Sequence, residues 1–318
     1  MPATSIVVPS RGGAERLDTL LDSVAAQTDD DLEVVVVLDG DVDGSEAVVA
    51  RRTDVPVRSI VFPENRGRSA ALNAGFADAR GEILVRCDDD LELEPDFVAR
   101  HRALHADREV GIVTMCLEAY ARPTAYSRAY GVPADARIRR TALATTPDQT
   151  WRWWCGCVSA RRETYDRVGG YDERYRGYGM EDVDWGYRLH ALGVPILVPD
   201  GFTTLHHGPV TSVEERARRA LHSGAARLTF EAIHGEGVLD APLTAEAARQ
   251  RQGRTAWSRL VDLVAGGVTE RSVSRVGSVL DRRTQHLPPW VAQKLVALLV
   301  ESAGVAGRRH PERIGGAF

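Results

Sequence analysis

Cysteine is scarce in this chain, and so is any sustained apolar run. Four of the 318 residues are cysteines: Cys87, Cys116, Cys155 and Cys157. The last two form a C-x-C pair, too close for an easy disulfide, and no C-x-x-C ladder offers a structural zinc site. They read as reduced thiols of a cytoplasmic protein. No window approaches the roughly 20 apolar residues that span a bilayer. The best run, Trp290 to Val300, is interrupted by Gln293 and Lys294. Met1 to Ser5 carries no basic region and leads straight into a strand, so no signal peptide is expected. There is no long basic block, and the net charge is -5, which gives no reason to expect a nucleic-acid partner. No internal repeat stands out.

What is present is an ordinary globular composition, 43% hydrophobic and 27% charged, long enough to bury a sizeable core. The first part alternates strands and helices. Ser5 to Pro9, Leu32 to Leu38, Val57 to Phe62 and Ile83 to Cys87 are short buried strands. Leu17, Leu20, Leu21 and Val24 recur at helical spacing. A second helix is expected from about Ser45 and a third over Ser69 to Ala79. Repeated β-α-β units predict a mostly parallel sheet flanked by helices. In such sheets ligands bind at the carboxyl ends of the strands. Tyr120 to Thr150 has three prolines and no clear period, and reads as a long irregular excursion or a lid-bearing region. Beyond His207-Gly208-Pro209 the chain looks helical, with breaks near Gly235, Gly266-Gly267 and Pro288-Pro289. The expected division is a catalytic domain over 1–210 and a helical extension over 211–318.

Three acidic clusters follow from this frame. Asp29-Asp30-Asp31 lies before a strand and reads as a solvated turn. Asp39-Gly-Asp41-Val-Asp43 mimics the start of an EF-hand loop, but the twelfth position is Ala50 rather than a bidentate glutamate. Asp88-Asp89-Asp90 directly follows a buried strand. Three adjacent carboxylates repel one another, and a divalent cation such as Mg²⁺ or Mn²⁺ would compensate them and clamp a diphosphate. Much later, Gly177-Tyr-Gly-Met-Glu181-Asp182 opens a helix, where capping accounts for one acid but not for the glycine-aromatic approach. Thr204-Leu-His206-His207-Gly208 offers a further metal ligand.

Taken together, these segments resemble family-2 glycosyltransferases with the GT-A fold. The resemblance runs from about Thr4 to Pro209. It rests on Ser5-Ile-Val-Val-Pro-Ser10, Val36-Val-Leu-Asp39-Gly40, Asn65-Arg-Gly67 through Asn73-Ala-Gly75, Cys87 to Asp90, Val168-Gly-Gly-Tyr-Asp-Glu173, Glu181-Asp182 and Leu205 to Gly208. It implies an inverting transfer from a nucleotide-diphosphate sugar, most often a UDP-sugar. Pro9, Ser10 and Asp39 would meet the nucleoside. Arg11, Arg68, Asp88 and Asp89 would lie along the donor, and Asp88, Asp90 and His206 would hold Mn²⁺ or Mg²⁺. His207 competes with His206 for that role. Asp182 would be the general base, with Glu181 next in line. Tyr178, Trp153, Trp154 and Trp185 are candidate sugar-stacking aromatics.

A nucleotidyltransferase would share the fold and the metal, but has no use for Glu181-Asp182. A non-catalytic sugar-nucleotide binder would have no need to keep both acid motifs. The acceptor is open: a glycan, a lipid-linked sugar, a small metabolite or a peptide. In the tail, Leu260, Val261, Leu263 and Val264, and then Leu295, Val296, Leu298 and Leu299, form apolar faces that must be buried. A homodimer would cover what the catalytic domain leaves. Peripheral membrane contact through Trp290 is the less favoured option.

Overall fold

The computed structural model describes residues 1–249 and 255–314. Its elements in chain order are β1 (Thr4–Ser10), α1 (Leu17–Ala25), β2 (Leu32–Leu38), α2 (Ser45–Ala50), β3 (Val57–Val61), α3 (Arg68–Asp78), β4 (Ile83–Cys87), β5 (Leu91–Glu92), α4 (Phe97–His105), β6 (Gly111–Val113), β7 (Met115–Glu118), α5 (Val132–Leu143), β8 (Cys157–Arg161), α6 (Arg162–Val168), α7 (Glu181–Ala191), β9 (Ile196–Leu197) and β10 (Thr203–His206). The helices α8 (Val213–His234), α9 (Ala245–Arg249), α10 (Ala256–Ala265), α11 (Glu270–Arg283) and α12 (Pro289–Arg309) follow.

Contacts divide the chain into two units. One comprises Met1–Ala119, Thr146–Glu173 and Glu181–Gly208; the other comprises Tyr120–Thr145, Arg174–Met180 and Pro209–Phe318. A single cut at residue 210 therefore leaves out two earlier segments that cluster with the helices. Tyr126, Tyr130 and Ala134 share a core with Val213, Ala217, Leu221 and Val296, which explains where the first of these segments belongs.

The first unit is built on a seven-stranded sheet of order β3-β2-β1-β4-β8-β6-β9. Strands β3, β2, β1 and β4 run parallel, as the buried apolar runs require. Strand β8 enters antiparallel between β4 and β6, which the repeating pattern did not anticipate. On one face Ile6, Val8, Val34, Val36 and Val85 pack with Leu17, Leu20 and Leu21 of α1. On the other face α3 comes so close that a Cβ on Gly75 would collide with Val7 and lie 3.0 Å from Val37. A second sheet, β5-β10-β7, lies next in the topology. It pairs His206 with both Leu91 and Glu118.

The second unit is helical. The stretch expected to be irregular holds α5, with Pro133 in the first turn, where a missing N–H costs nothing. Helix α12 is longer than the apolar run that suggested it. By length and composition it could cross a membrane, and 44% of that stretch is buried within the protein. It packs on α8 through small residues: a Cβ on Gly307 would strike the Leu221 carbonyl, and one on Gly224 the Gly304 carbonyl. Close helix contact of this kind buries Val296, Leu299, Val300, Ala303 and Ala306.

Candidate active site

Four of the site's residue groups are positioned by the strand ends of the first unit. Val7 of β1 pairs with Arg86 of β4, so three residues further on Ser10 stands beside Asp89. The Ser10 hydroxyl donates to Asp89 Oδ2 at 2.6 Å, and Arg16 Nε and Nη2 donate to the same carboxylate at 3.2 and 3.0 Å. Asp89 is 7% exposed, and burial holds its carboxyl above the usual range despite these partners. The middle acid thus ties β1 to β4.

The outer acids face elsewhere. Each of the three lies against a glycine from a distant segment: a Cβ on Gly156 would meet Asp88, one on Gly13 would meet Asp89, and one on Gly208 would meet Asp90. Asp88 N donates to the Gly156 carbonyl at 3.0 Å, extending the β4–β8 ladder past Cys87 and Cys157. Asp90 is set by the second sheet. His206 Nε2 lies 3.1 Å from Asp90 Oδ2, and its Nδ1 lies 2.7 Å from Glu118 Oε2. Burial disfavours the charged ring, but the carboxylates on both nitrogens push His206 up to about 10. Burial likewise raises Asp90, yet His206 outweighs it and holds that carboxyl below the usual range. His207 turns away, its Nε2 2.6 Å from Glu92.

Asp39, 5% exposed, accepts the backbone N–H groups of Arg66 and Gly67 at 2.6 and 2.9 Å. Its own carbonyl accepts from Arg11 Nη1 at 2.7 Å. The carboxylate therefore orders the turn that enters α3. Pro9 is half-buried near the end of β1, where it pairs with Val37 of β2.

The acids opening α7 divide their work. Asp184 pairs with Arg188 Nε at 2.9 Å within the helix. Glu181 is 4% exposed, with Oε1 3.6 Å from Arg68 and Oε2 buried without a hydrogen-bond partner among the described residues. Asp182 forms an ion pair with Arg86. Met180, just before them, has a φ of 75°, a left-handed backbone conformation unusual for a residue with a side chain. Such strain recurs where a neighbouring side chain must be aimed.

Arg86 is the residue that local sequence reading missed. It is 1% exposed in the middle of the sheet, with Nη2 3.2 Å from Asp88 Oδ1 and Nη1 paired to Asp182. The signal was visible as a lone charge in Ile-Leu-Val-Arg-Cys, but nothing local names partners in two separate motifs. The aromatic candidates fare differently. Trp154 and Trp185 are 3% and 1% exposed and stack on each other at 4.7 Å, with Nε1 of each hydrogen-bonded to Tyr171 Oη and the Gly169 carbonyl respectively. They are core residues rather than a sugar platform. Tyr178 lies in the second unit under the Arg219 guanidinium. A cavity of about 680 Å³ lined by Ala3, Glu82, Arg102, Arg161 and Arg162 lies at the opposite strand ends and contains none of the expected site residues.

Residues 5–169 match glycosyl transferase family 2. The chain belongs to that family. Residues 139–208, which contain the Glu181-Asp182 pair, also match the N-terminal domain of galactosyltransferase. A validoxylamine A glucosyltransferase of Streptomyces hygroscopicus subsp. jinggangensis is 32% identical over 62% of this chain and 54% of its own length. The uncharacterised glycosyltransferase YfnE of Bacillus subtilis is 32% identical over 64% of each chain. This family-2 chain spans about half the length of the first curated relatives it matches. Among solved structures, mannosyltransferase PcManGT of Pyrobaculum calidifontis, in complex with GDP-Man and Mn²⁺, aligns with a TM-score of 0.60 at 21% identity, covering 96% of this chain and 87% of that one. S. aureus TarS 1-349 in complex with UDP aligns at 0.52 and 16% identity, covering 95% and 90%. The fold is the GT-A type, a parallel-rich sheet flanked by helices, with C-terminal helices added.

Proposed function

We propose that this chain is an inverting glycosyltransferase that moves a hexose from a nucleoside-diphosphate donor, UDP-linked in the first instance, to an acceptor hydroxyl with divalent metal present. The observation that carries the reading is that acids from two motifs far apart in sequence, Asp88 and Asp182, meet on one buried arginine at the end of β4. A single displacement needs a base and a leaving-group site held in fixed relation.

Asp88, Asp90 and His206 are the residues that would hold Mg²⁺ or Mn²⁺. The fit rests on donor chemistry. Among the described residues Asp90 Oδ1 is buried without a hydrogen-bond partner, and Glu118 stands on the far nitrogen of His206, as an orienting carboxylate does for a ligating imidazole. Among the described residues no three such side chains already converge, so donor oxygens would have to complete the shell of any cation held here. When bound, the cation supplies charge compensation to the departing diphosphate.

The chain's own residues do the rest. Ser10 and Asp89 fix the β1 end against β4, and Asp39 orders the turn that presents Arg68. Arg11 and Arg68 are cations for the donor's diphosphate. Asp182 accepts the proton of the acceptor hydroxyl as it attacks. The acceptor class is taken to be a small hydroxylated molecule, in line with the glucosylated substrate named for the Streptomyces relative. The helical unit would serve self-association or acceptor docking, through exposed Leu263 and Trp290.

A donor screen tests the reading. UDP-, GDP- and TDP-sugars are offered with Mn²⁺, and nucleoside diphosphate and pyrophosphate are measured separately. Sugar-dependent diphosphate release is expected. Pyrophosphate release would mean a nucleotidyltransferase, and undiminished turnover in excess EDTA would remove the metal.

A further inference from the structure

Arg86 sits where parallel sheets hold valine or isoleucine. Its register partners are Val7 on β1 and Val158 on β8. A guanidinium buried this completely is costly unless charged groups meet it. Two carboxylates do, on different nitrogens: Asp88 on Nη2 at 3.2 Å and Asp182 Oδ1 on Nη1. The Tyr171 ring covers the group, 5.7 Å from the guanidinium carbon, and Trp154 Nε1 donates to the Tyr171 hydroxyl at 3.2 Å.

We propose that Arg86 is a positioning residue: it fixes the Asp182 carboxylate relative to Asp88 and leaves Asp182 Oδ2 as the atom that takes the acceptor's proton. This deepens the assignment of Asp182 as general base and rests on it. The guanidinium is planar and its donors diverge at fixed angles, so two carboxylates on separate nitrogens are held at a set separation and tilt. Lysine has no such fork. In the transfer, the acceptor oxygen forms a bond to the anomeric carbon. The bond from that carbon to the diphosphate oxygen breaks, and its electron pair leaves with the diphosphate. The hydroxyl proton passes to Oδ2. Oδ1 stays on Arg86 throughout, so the carboxyl does not rotate away as it is protonated. The Asp182 side chain is 16% exposed, so part of it remains open to an acceptor.

A purely structural role would also place a buried arginine here, and a double-mutant cycle separates the two. Initial rates are measured for wild type, Arg86→Met, Arg86→Lys, Asp182→Asn and the Arg86→Met/Asp182→Asn double variant. Arg86→Met is expected to lower kcat by about 10²-fold with donor KM changed less than about threefold. In the Asp182→Asn background the same change should cost less than about threefold more, because the group it positions no longer acts as a base. Arg86→Lys should recover only part of the loss. A fully additive cycle, or a loss confined to donor KM, overturns the positioning role. Near-normal turnover of Asp182→Asn alone overturns the base assignment instead, so the two failures are distinct. Should Arg86→Met not fold, as judged by near-UV circular dichroism, the cycle is run with Arg86→Lys and the same non-additivity decides.

Discussion

Two runs of three aspartates occupy opposite ends of the same sheet. Asp29-Asp30-Asp31 precedes β2, and Asp88-Asp89-Asp90 follows β4. Because β2 and β4 both run parallel to β1, the runs are about 25 Å apart along the strands. Their surroundings differ in kind. The first run is exposed at Asp30 and Asp31 and works for the backbone: Asp31 Oδ1 accepts from Ala3 N at 3.0 Å, and Asp29 takes Arg102 Nη1 at 2.7 Å. Each member of the second run is pressed against a glycine from a distant segment, and its partners range from buried Arg86 and Ser10 to half-buried His206 and Arg16. Water screens the first run and lets its charges repel at little cost. In the second, protein partners must answer each carboxylate. The lesson is that the same three residues become a candidate site only where the strand topology gathers side chains from elsewhere.

The largest expected difference is in turnover. Asp90→Ala should lower metal-stimulated diphosphate release by about 10³-fold, since charge stabilisation of the leaving group is worth several kcal/mol. Asp30→Ala should leave the rate unchanged. Equal rates for wild type and Asp90→Ala would erase the distinction between the two runs.

A smaller effect belongs to the glycines. Gly208→Ala would drive a Cβ into Asp90 and to 3.3 Å from His206 Nε2. We expect a fall of about 10-fold to 10²-fold in kcat, the usual result of displacing a reacting group by an ångström. Unfolding should change little, which separates this variant from a core defect. Normal turnover would mean that Asp90 can shift without consequence.

These contrasts explain what the sequence carried and what it did not. The apolar runs of β1, β2 and β4 are one-dimensional signals, and so is an acid triplet placed just after one of them. The resemblance added Glu181-Asp182 and the late histidines, and the geometry puts the ring of His206 rather than that of His207 beside the Asp90 carboxylate. Pairings across the sheets were not legible. Arg86 reads as a blemish in an apolar strand until Asp182, from another motif, is brought to it. Glu118 has no local mark at all and gains its place only because β10 inserts between β5 and β7. Helix α5 was hidden because only Ala134 and Ala142 of it are buried, so its own residues lack a strong apolar stripe.

The middle acid sharpens the comparison within the second run. Asp89→Asn keeps the shape but gives up the charge that meets Arg16 and Ser10. Hydrogen bonds to a charged group that is itself buried are worth about 1.5–3 kcal/mol, less here where solvent reaches Arg16. Denaturant unfolding should register that loss, while donor affinity stays closer to wild type than for Asp88→Asn. Unchanged stability would move Asp89 from the frame to the donor site.

The smallest effect should come from the first run, and it is the control on which the contrast rests. Arg102 Nη1 lies 2.7 Å from both oxygens of Asp29, with Arg102 38% and Asp29 19% exposed. The distances equal those of a strong ion pair, so a reading from geometry alone would assign it real weight. Solvent reaches both partners, though, and two side chains must be held in one arrangement. Exposed pairs of this kind contribute about 0.2–1 kcal/mol, and salt weakens them. Asp29→Asn should therefore shift the thermal midpoint by no more than about 2 °C, with turnover unchanged. Raising the salt to about 1 M should shrink even that difference, because the screening length falls to about 3 Å. A loss of several kcal/mol that survives high salt would show that the N-terminal strand ends are as tightly organised as the carboxyl ends. The difference between the two triplets would then not be one of burial.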